Sequence, residues 1–279
     1  MTDIANIPNL AVAADTVTNV ELIQVVADNA TIGTSFETIG NTNADAVLPV
    51  IAGADIDVVS ADNSSDIAAG TGARTIKITY LDDSFNQASE EITLTGTTPV
   101  ELTEQNITFI QDAELLTTGT DLIAAGAITI ADVTGGGVHG LIDVGSRNMA
   151  TCQWMVPAGH SGYVHGFWAD VDAVAAGQGT AEVALQISHA GFTGVANSEV
   201  WKTIAKISIV ENDSDVVAAT GGNQNSMTSF SFPGNQPYVV PAKTMVRLAG
   251  KAFSTAVACT AGFSMSVQGS GSGTSVVNS

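Results

Sequence analysis

The chain has 279 residues, 28 acidic and 8 basic, for a net charge of −20. Such a charge repels phosphate backbones and anionic headgroups and argues against nucleic acid or membrane surfaces as partners. Only 13% of residues are charged, against a usual ~25%, so Thr, Ser, Asn, Gln and Gly must cover the surface, as suits a protein largely covered by neighbours.

Met1–Val17 has neither a basic n-region nor a continuous apolar h-region and does not read as a signal peptide. No run of about 18 apolar residues occurs, so no membrane span is expected. Residues 1–48 hold no basic residue, and Phe36 is their only aromatic. Their one apolar cluster is Val20, Leu22, Ile23, Val25 and Val26. This reads as an extended N-terminal arm with one or two strands, too poor in apolar mass to fold alone, that docks on a neighbour. A free tail is the alternative.

Residues 49–270 read as the body. From Asp55 onward polar and apolar residues alternate in short runs: Thr75–Tyr80, Glu91–Thr95, Ala181–Ser188, Thr228–Phe232 and Phe263–Gln268. Period two with β-branched enrichment is the strand signature. Turn clusters separate the runs, among them Ala69–Gly72, Gly96–Pro99, Gly177–Gly179 and Pro233–Asn235. Helical periodicity is weak; Gln111–Leu116 and Asp213–Ala219 could each form a turn or two of helix. Val156-Pro157-Ala158-Gly159 is echoed by Val240-Pro241-Ala242-Lys243, and in both a proline fixes a bend ahead of a new strand. The fold class expected is all-β, a β-sandwich or jelly-roll-like body with an extended arm. The body can divide into two lobes near residues 133–137, and residues 271–279 read as a loose tail.

No constellation points to catalysis, a cofactor or a metal. His139, His160, His165 and His189 lack metal-ligand spacing. Asp55, Asp57, Asp62 and Asp66 lack the spacing of a helix–loop–helix calcium site and read as a solvated loop. Asp82-Asp83 reads as a turn. Val144–Arg147 lacks a nucleophile-elbow context, and Gly135–Gly137 is followed by no phosphate-loop Lys. Cys152 and Cys259 sit in apolar runs and read as small core residues, with a bridge between them left open. Trp154, Trp168 and Trp201 are bulky anchors for a core or an interface. No enzyme is expected.

One stretch is more specific. Ser60-Ala61-Asp62-Asn63-Ser64-Ser65-Asp66 is followed by Ala69-Gly70-Thr71-Gly72-Ala73-Arg74-Thr75-Ile76, then Tyr80-Leu81-Asp82, then Glu90 to Val100. Together they resemble a module of tailed-phage virion proteins, above all of marine and cyanobacterial phages. The resemblance spans roughly residues 58–270, includes the turns at 156–159 and 240–243, and is strongest at 60–100; residues 1–48 have no counterpart in it. It implies a virion component with a β-sandwich fold, assembled in the host cytoplasm as a homo-oligomer, with a trimer expected. It carries over no catalytic residues. Arg74 is the only positive side chain in the first 76 residues and is expected to pin its loop by a charge-assisted bond. With the arm and the low-charge surface, the leading expectation is a capsid decoration (cement) protein that binds itself and the major capsid protein. The alternative is a tail, neck or fibre component for joining or host attachment. A third class is a carbohydrate-binding or carbohydrate-cleaving sandwich, for which Trp168 with Asp170 and Asp172 is the nearest candidate.

Overall fold

The computed structural model describes residues 20–40, 53–133, 135, 137–173, 179–189, 201–210, 227–253 and 257–269. Within them the chain is an all-β sandwich, with one 3-10 turn at Pro233–Asn235. In chain order the strands are β1 (Val20–Ile32), β2 (Glu37–Thr38), β3 (Ile56–Ser60), β4 (Ala73–Leu81), β5 (Gln87–Thr93), β6 (Val100–Glu101), β7 (Phe109–Thr118), β8 (Ile128–Asp132) and β9 (Val138–Ile142). They continue with β10 (Gln153–Met155), β11 (His160–Ala173), β12 (Thr180–His189), β13 (Lys202–Val210), β14 (Thr228–Ser231), β15 (Tyr238–Val240), β16 (Thr244–Ala252) and β17 (Val257–Gly269).

Two sheets form the larger lobe. One runs β1-β17-β11-β14, with β15 also on β11; the other runs β10-β16-β12-β13, with β2 also on β16. Taking β1, β10, β11, β12, β13, β14/β15, β16 and β17 as eight successive strands, the sheets read 1-8-3-6 and 2-7-4-5. That is the strand order of a jelly roll. Alternation does the packing: Ile23, Val25 and Ala27 of β1 point inward with Phe263, Met265 and Val267 of β17, Val183 and Leu185 of β12, and Val246 and Leu248 of β16. Cys152 and Cys259 enter this core as free thiols. Burial pushes both thiols up, Cys259 to about 12.

The smaller lobe, residues 53–149, is an insertion between β2 and β10. Its sheets, β6-β3-β8-β9 and β5-β4-β7, close on a second core that includes Ile76, Ile78, Ile110, Ile128 and Ile130. Two expectations change here. Residues 20–40 do not stand apart as an arm, because β1 and β2 pair with β17 and β16 inside the jelly roll. No boundary falls near residues 133–137, because β8 and β9 on either side pair as a hairpin, with Gly135 at φ +73° donating to the Asp132 carbonyl at 2.9 Å. The division falls after Met149, the last residue in the second core. Gln111–Leu116 is likewise strand, within β7: Gln111, Ala113 and Leu115 are buried and Glu114 and Leu116 exposed, and pairing with β4 overrides a sequence of fair helix formers. Asp213–Ala219, residues 1–19, 41–48 and 271–279 lie outside the described residues.

A third cluster joins the lobes: Leu81, Phe85 and Phe109 pack on Met155 and Met245. The Gln111 side chain donates to the Met155 carbonyl at 2.6 Å and accepts from the Met155 amide at 3.0 Å. The two Pro-Ala turns meet at this seam. Gly159 and Lys243 occupy equivalent left-handed positions, φ +70° and +58°, and the Lys243 amide donates to the Val156 carbonyl at 2.8 Å. Phe85 is also left-handed, φ +66°, a strained state for a bulky residue. It is held by the Ala158 amide donating to its carbonyl at 2.8 Å and the Lys243 ammonium 4.8 Å above its ring.

Candidate functional site

The loop at residues 60–76 is organised around one buried carboxylate. Asp66 is fully buried and accepts from Ser60 Oγ at 2.7 Å and from the amides of Ala73 at 2.7 Å, Gly126 at 2.8 Å and Ala125 at 3.0 Å. A Cβ on Gly72 would lie 2.3 Å from Asp66 Oδ1, so the second glycine of Gly70-Thr71-Gly72 makes room for the carboxylate. Arg74 does pin its loop, Nε donating to the Gly70 carbonyl at 2.9 Å. Asp66 is therefore not part of a solvated loop; it replaces the water its donors would otherwise bind. The other three acids lie apart. Asp55 Oδ1 accepts from the Asn106 amide at 3.3 Å. Asp57 sits in β3, held above the usual range by burial first and Asp132 second. Asp62 caps its turn through the amides of Ser65 and Ser64, which lower its pKa. Asp82 closes the β4–β5 turn on the Ser84 and Asn86 amides.

The histidines serve separate places. His139 is buried against Asp132, Nε2 to Oδ1 at 2.5 Å; His160 bonds the Ala158 carbonyl through Nδ1 at 2.8 Å; His165 Nε2 meets Ser266 Oγ at 3.0 Å; His189 ends β12 opposite Thr244. Among the described residues no three His, Cys, Asp or Glu side chains converge as a metal site would require. Gly145 and Ser146 form a turn on Asp143 and Ala124.

The tryptophans divide three ways. Trp154 is core. Trp201 stacks on the buried Arg247, whose guanidinium lies 3.7 Å from the ring and donates to Gln186 Oε1 and Thr38 Oγ1, both at 3.0 Å. Trp168 faces outward on β11, level with Gly262 of β17, beside a cleft crossing its sheet. Sequence reading missed Arg247, since only the register of β16 with β12 and β10 sets it beside Gln186 and Gln153.

Two of the surfaces left open among the described residues bear on contact with other molecules. One is the cleft by Trp168. The other is the edge of β1, which has no strand beyond it among the described residues. No family model matches the chain, and no curated protein matches it. Of solved structures, 13 chains match. The VP2 subviral particle of infectious bursal disease virus is 12% identical over 88% of this chain and 71% of that one, with a TM-score of 0.20. The structure of that virus's Gt strain is 12% identical over 89% and 72%, with a TM-score of 0.19. These superpositions are too loose to transfer a role. What the topology defines is a jelly roll with a second β-lobe inserted into its first connection.

Two substitutions test this description. Removing the Asp66 carboxylate strands the buried amides of Ala73 and Gly126 and the half-buried amide of Ala125, at about 1–3 kcal/mol for each buried group left unmet. Asp66→Ala is expected to lower unfolding free energy by about 3–5 kcal/mol in urea titration; a loss under about 0.5 kcal/mol, the scale of a surface change, contradicts the hub. Asp112, on the outer side of β7, is pushed up to about 6 by burial first, with Glu114 adding to the rise and the Ala113 amide and Lys77 opposing it. An acid with a raised folded pKa binds its proton more tightly when folded, so its stabilising contribution is present below about pH 4 and lost as pH rises through 6. Asp112→Asn should therefore stabilise the protein by about 1–2 kcal/mol at pH 7, with the gain vanishing at pH 4. Thermal melts at both pH values read this directly.

Proposed function

We propose that the chain is a non-catalytic structural subunit of a tailed-phage particle: a capsid decoration (cement) protein that self-associates, with a trimer expected, and binds the major capsid protein. It is assembled in the host cytoplasm and resides in the virion. The β1 edge carries this reading. β1 is 13 residues long, charged only at Glu21 and Asp28, and free of Lys and Pro, the residues that blunt exposed edges in soluble proteins. Val26 stands 54% exposed on it. The register of β1 is regular from Val20 to Asn29, and a long edge of this kind with no described strand beyond it is a template for a strand from another chain. The low charge fraction and the resemblance at residues 60–100 support placing that other chain in a phage shell.

A second reading, a tail, neck or fibre component that joins parts or contacts the host, is favoured by the outward-facing Trp168. Copy number separates the two: a number matching the shell lattice supports decoration, a handful supports the tail. Val26→Lys places a charge on the open edge without entering the core. It is expected to shift the light-scattering mass toward the monomer and to weaken capsid co-sedimentation at least tenfold. Unchanged mass and unchanged binding would contradict the proposal.

A further inference from the structure

We infer that the outer face of the β1-β17-β11-β14 sheet is a saccharide-binding site built on Trp168, selective for uncharged sugars. This stands apart from the particle role and holds whether or not the chain decorates a capsid. The cleft has a volume of about 450 Å³ and crosses all four strands, within the usual range for small-ligand sites. Its lining includes Gln24 and Val26 from β1, Ser264 from β17, His165 and Trp168 from β11, and Ser231 from β14.

The floor is low because two positions lack side chains. A Cβ on Gly262 would lie 2.7 Å from the Val25 carbonyl and 3.0 Å from Trp168 Nε1. The indole therefore rests on bare backbone and borders the cleft. A Cβ on Gly166 would lie 2.6 Å from the Phe230 carbonyl, and Gly166 follows the β11 bulge, where register shifts between Val164 and Gly166. That bulge turns His165 to the outer face, where it meets Ser266.

The lining chemistry selects the ligand. In a chain of net charge −20, no residue lining this cleft is charged. Burial lowers the pKa of His165, so the lining offers no strongly held positive charge to pair with an anion. An indole beside hydroxyl and amide groups matches a sugar, whose ring carbons stack on the aromatic face while its hydroxyls exchange hydrogen bonds with Ser and Gln. One row further along the same face, Asp28 and Asp170 both lie opposite Thr260. Their carboxylates can accept sugar hydroxyls at one rim and repel sialic acid or sulfate. Period two places Trp168, Asp170 and Asp172 together on this face.

The test uses the full chain, its Trp168→Ala and Gln24→Ala variants, and a printed array of neutral, sialylated and sulfated glycans. Titration calorimetry follows with the soluble tetrasaccharides that score. The expected result is binding of neutral glycans only, at least tenfold weaker in Trp168→Ala and severalfold weaker in Gln24→Ala. Both changes lie on the outer face, so thermal melts should stay within a few degrees of the parent. Failure of the parent chain to bind any neutral glycan, equal binding by Trp168→Ala, or preference for anionic glycans would each overturn the inference. So would a change in oligomer mass in Trp168→Ala without glycan binding, which would assign the face to a second copy. Capsid co-sedimentation of Trp168→Ala, expected to be unchanged, keeps this outcome separate from that of the particle role.

Discussion

The antiparallel pairing of β1 with β17, from Val20 opposite Gln268 to Ile32 opposite Val257, joins the two ends of the described chain and closes the jelly roll. It places Ile23, Val25 and Ala27 over the core that β11, β12 and β16 also face. With β1 fixed there, and with β2 and β10 both on β16, residues 53–149 can only leave the sandwich and return to it. Exit and return lie side by side: Gly40 bridges Thr151, and a Cβ at Gly40 would come within 3.1 Å of the Ala150 carbonyl. The inserted lobe then leans on the sandwich through Phe85, Phe109 and the Gln111–Met155 bonds. Apolar burial across sheets supplies the stability of each lobe, while hydrogen bonds and the strained Phe85 turn fix their contact.

Charge is distributed to the same plan. Residues 53–149 hold 15 acidic and 3 basic residues, whereas Lys206, Arg247 and Lys251 share the outer face of the β10-β16-β12-β13 sheet by register with Ala184, Gln186 and Glu182. For a chain carrying −20, any contact between two copies works against mutual repulsion. The β1 edge carries only two charges along its 13 residues, so the proposed self-association would work against less of that repulsion there. In the small lobe the excess is partly absorbed: Asp66 is spent on backbone amides and Asp132 on His139 and the Gly137 amide.

Much of the fold was legible in alternation. The runs at Thr75–Tyr80, Ala181–Ser188 and Phe263–Gln268 fall within β4, β12 and β17, and both Pro-Ala turns precede strands, β11 and β16. Arg74 found the carbonyl partner its isolation suggested. What local pattern could not carry was long-range pairing. β1 looked like an arm because it has no aromatic residue, yet β17 supplies the bulk it lacks. Gln111–Leu116 has fair helix formers, and β4 decided otherwise. Asp66 is indistinguishable in sequence from Asp62, because its donors at residues 125 and 126 lie about 60 positions away. The same holds for the tryptophans. Only register separates Trp154 in the core from Trp201 on Arg247 and Trp168 on an open face.

The central claim is that the open side of β1 is covered by another chain in the assembled state. Amide hydrogen exchange of residues 20–32, compared between dilute monomer and assembled material, tests it most directly. Amides of β1 that point to β17 are already bonded and should exchange slowly in both states. The account predicts that the alternate amides on the open side exchange fast in the monomer and become protected on assembly. Equal exchange of those amides in both states would contradict it.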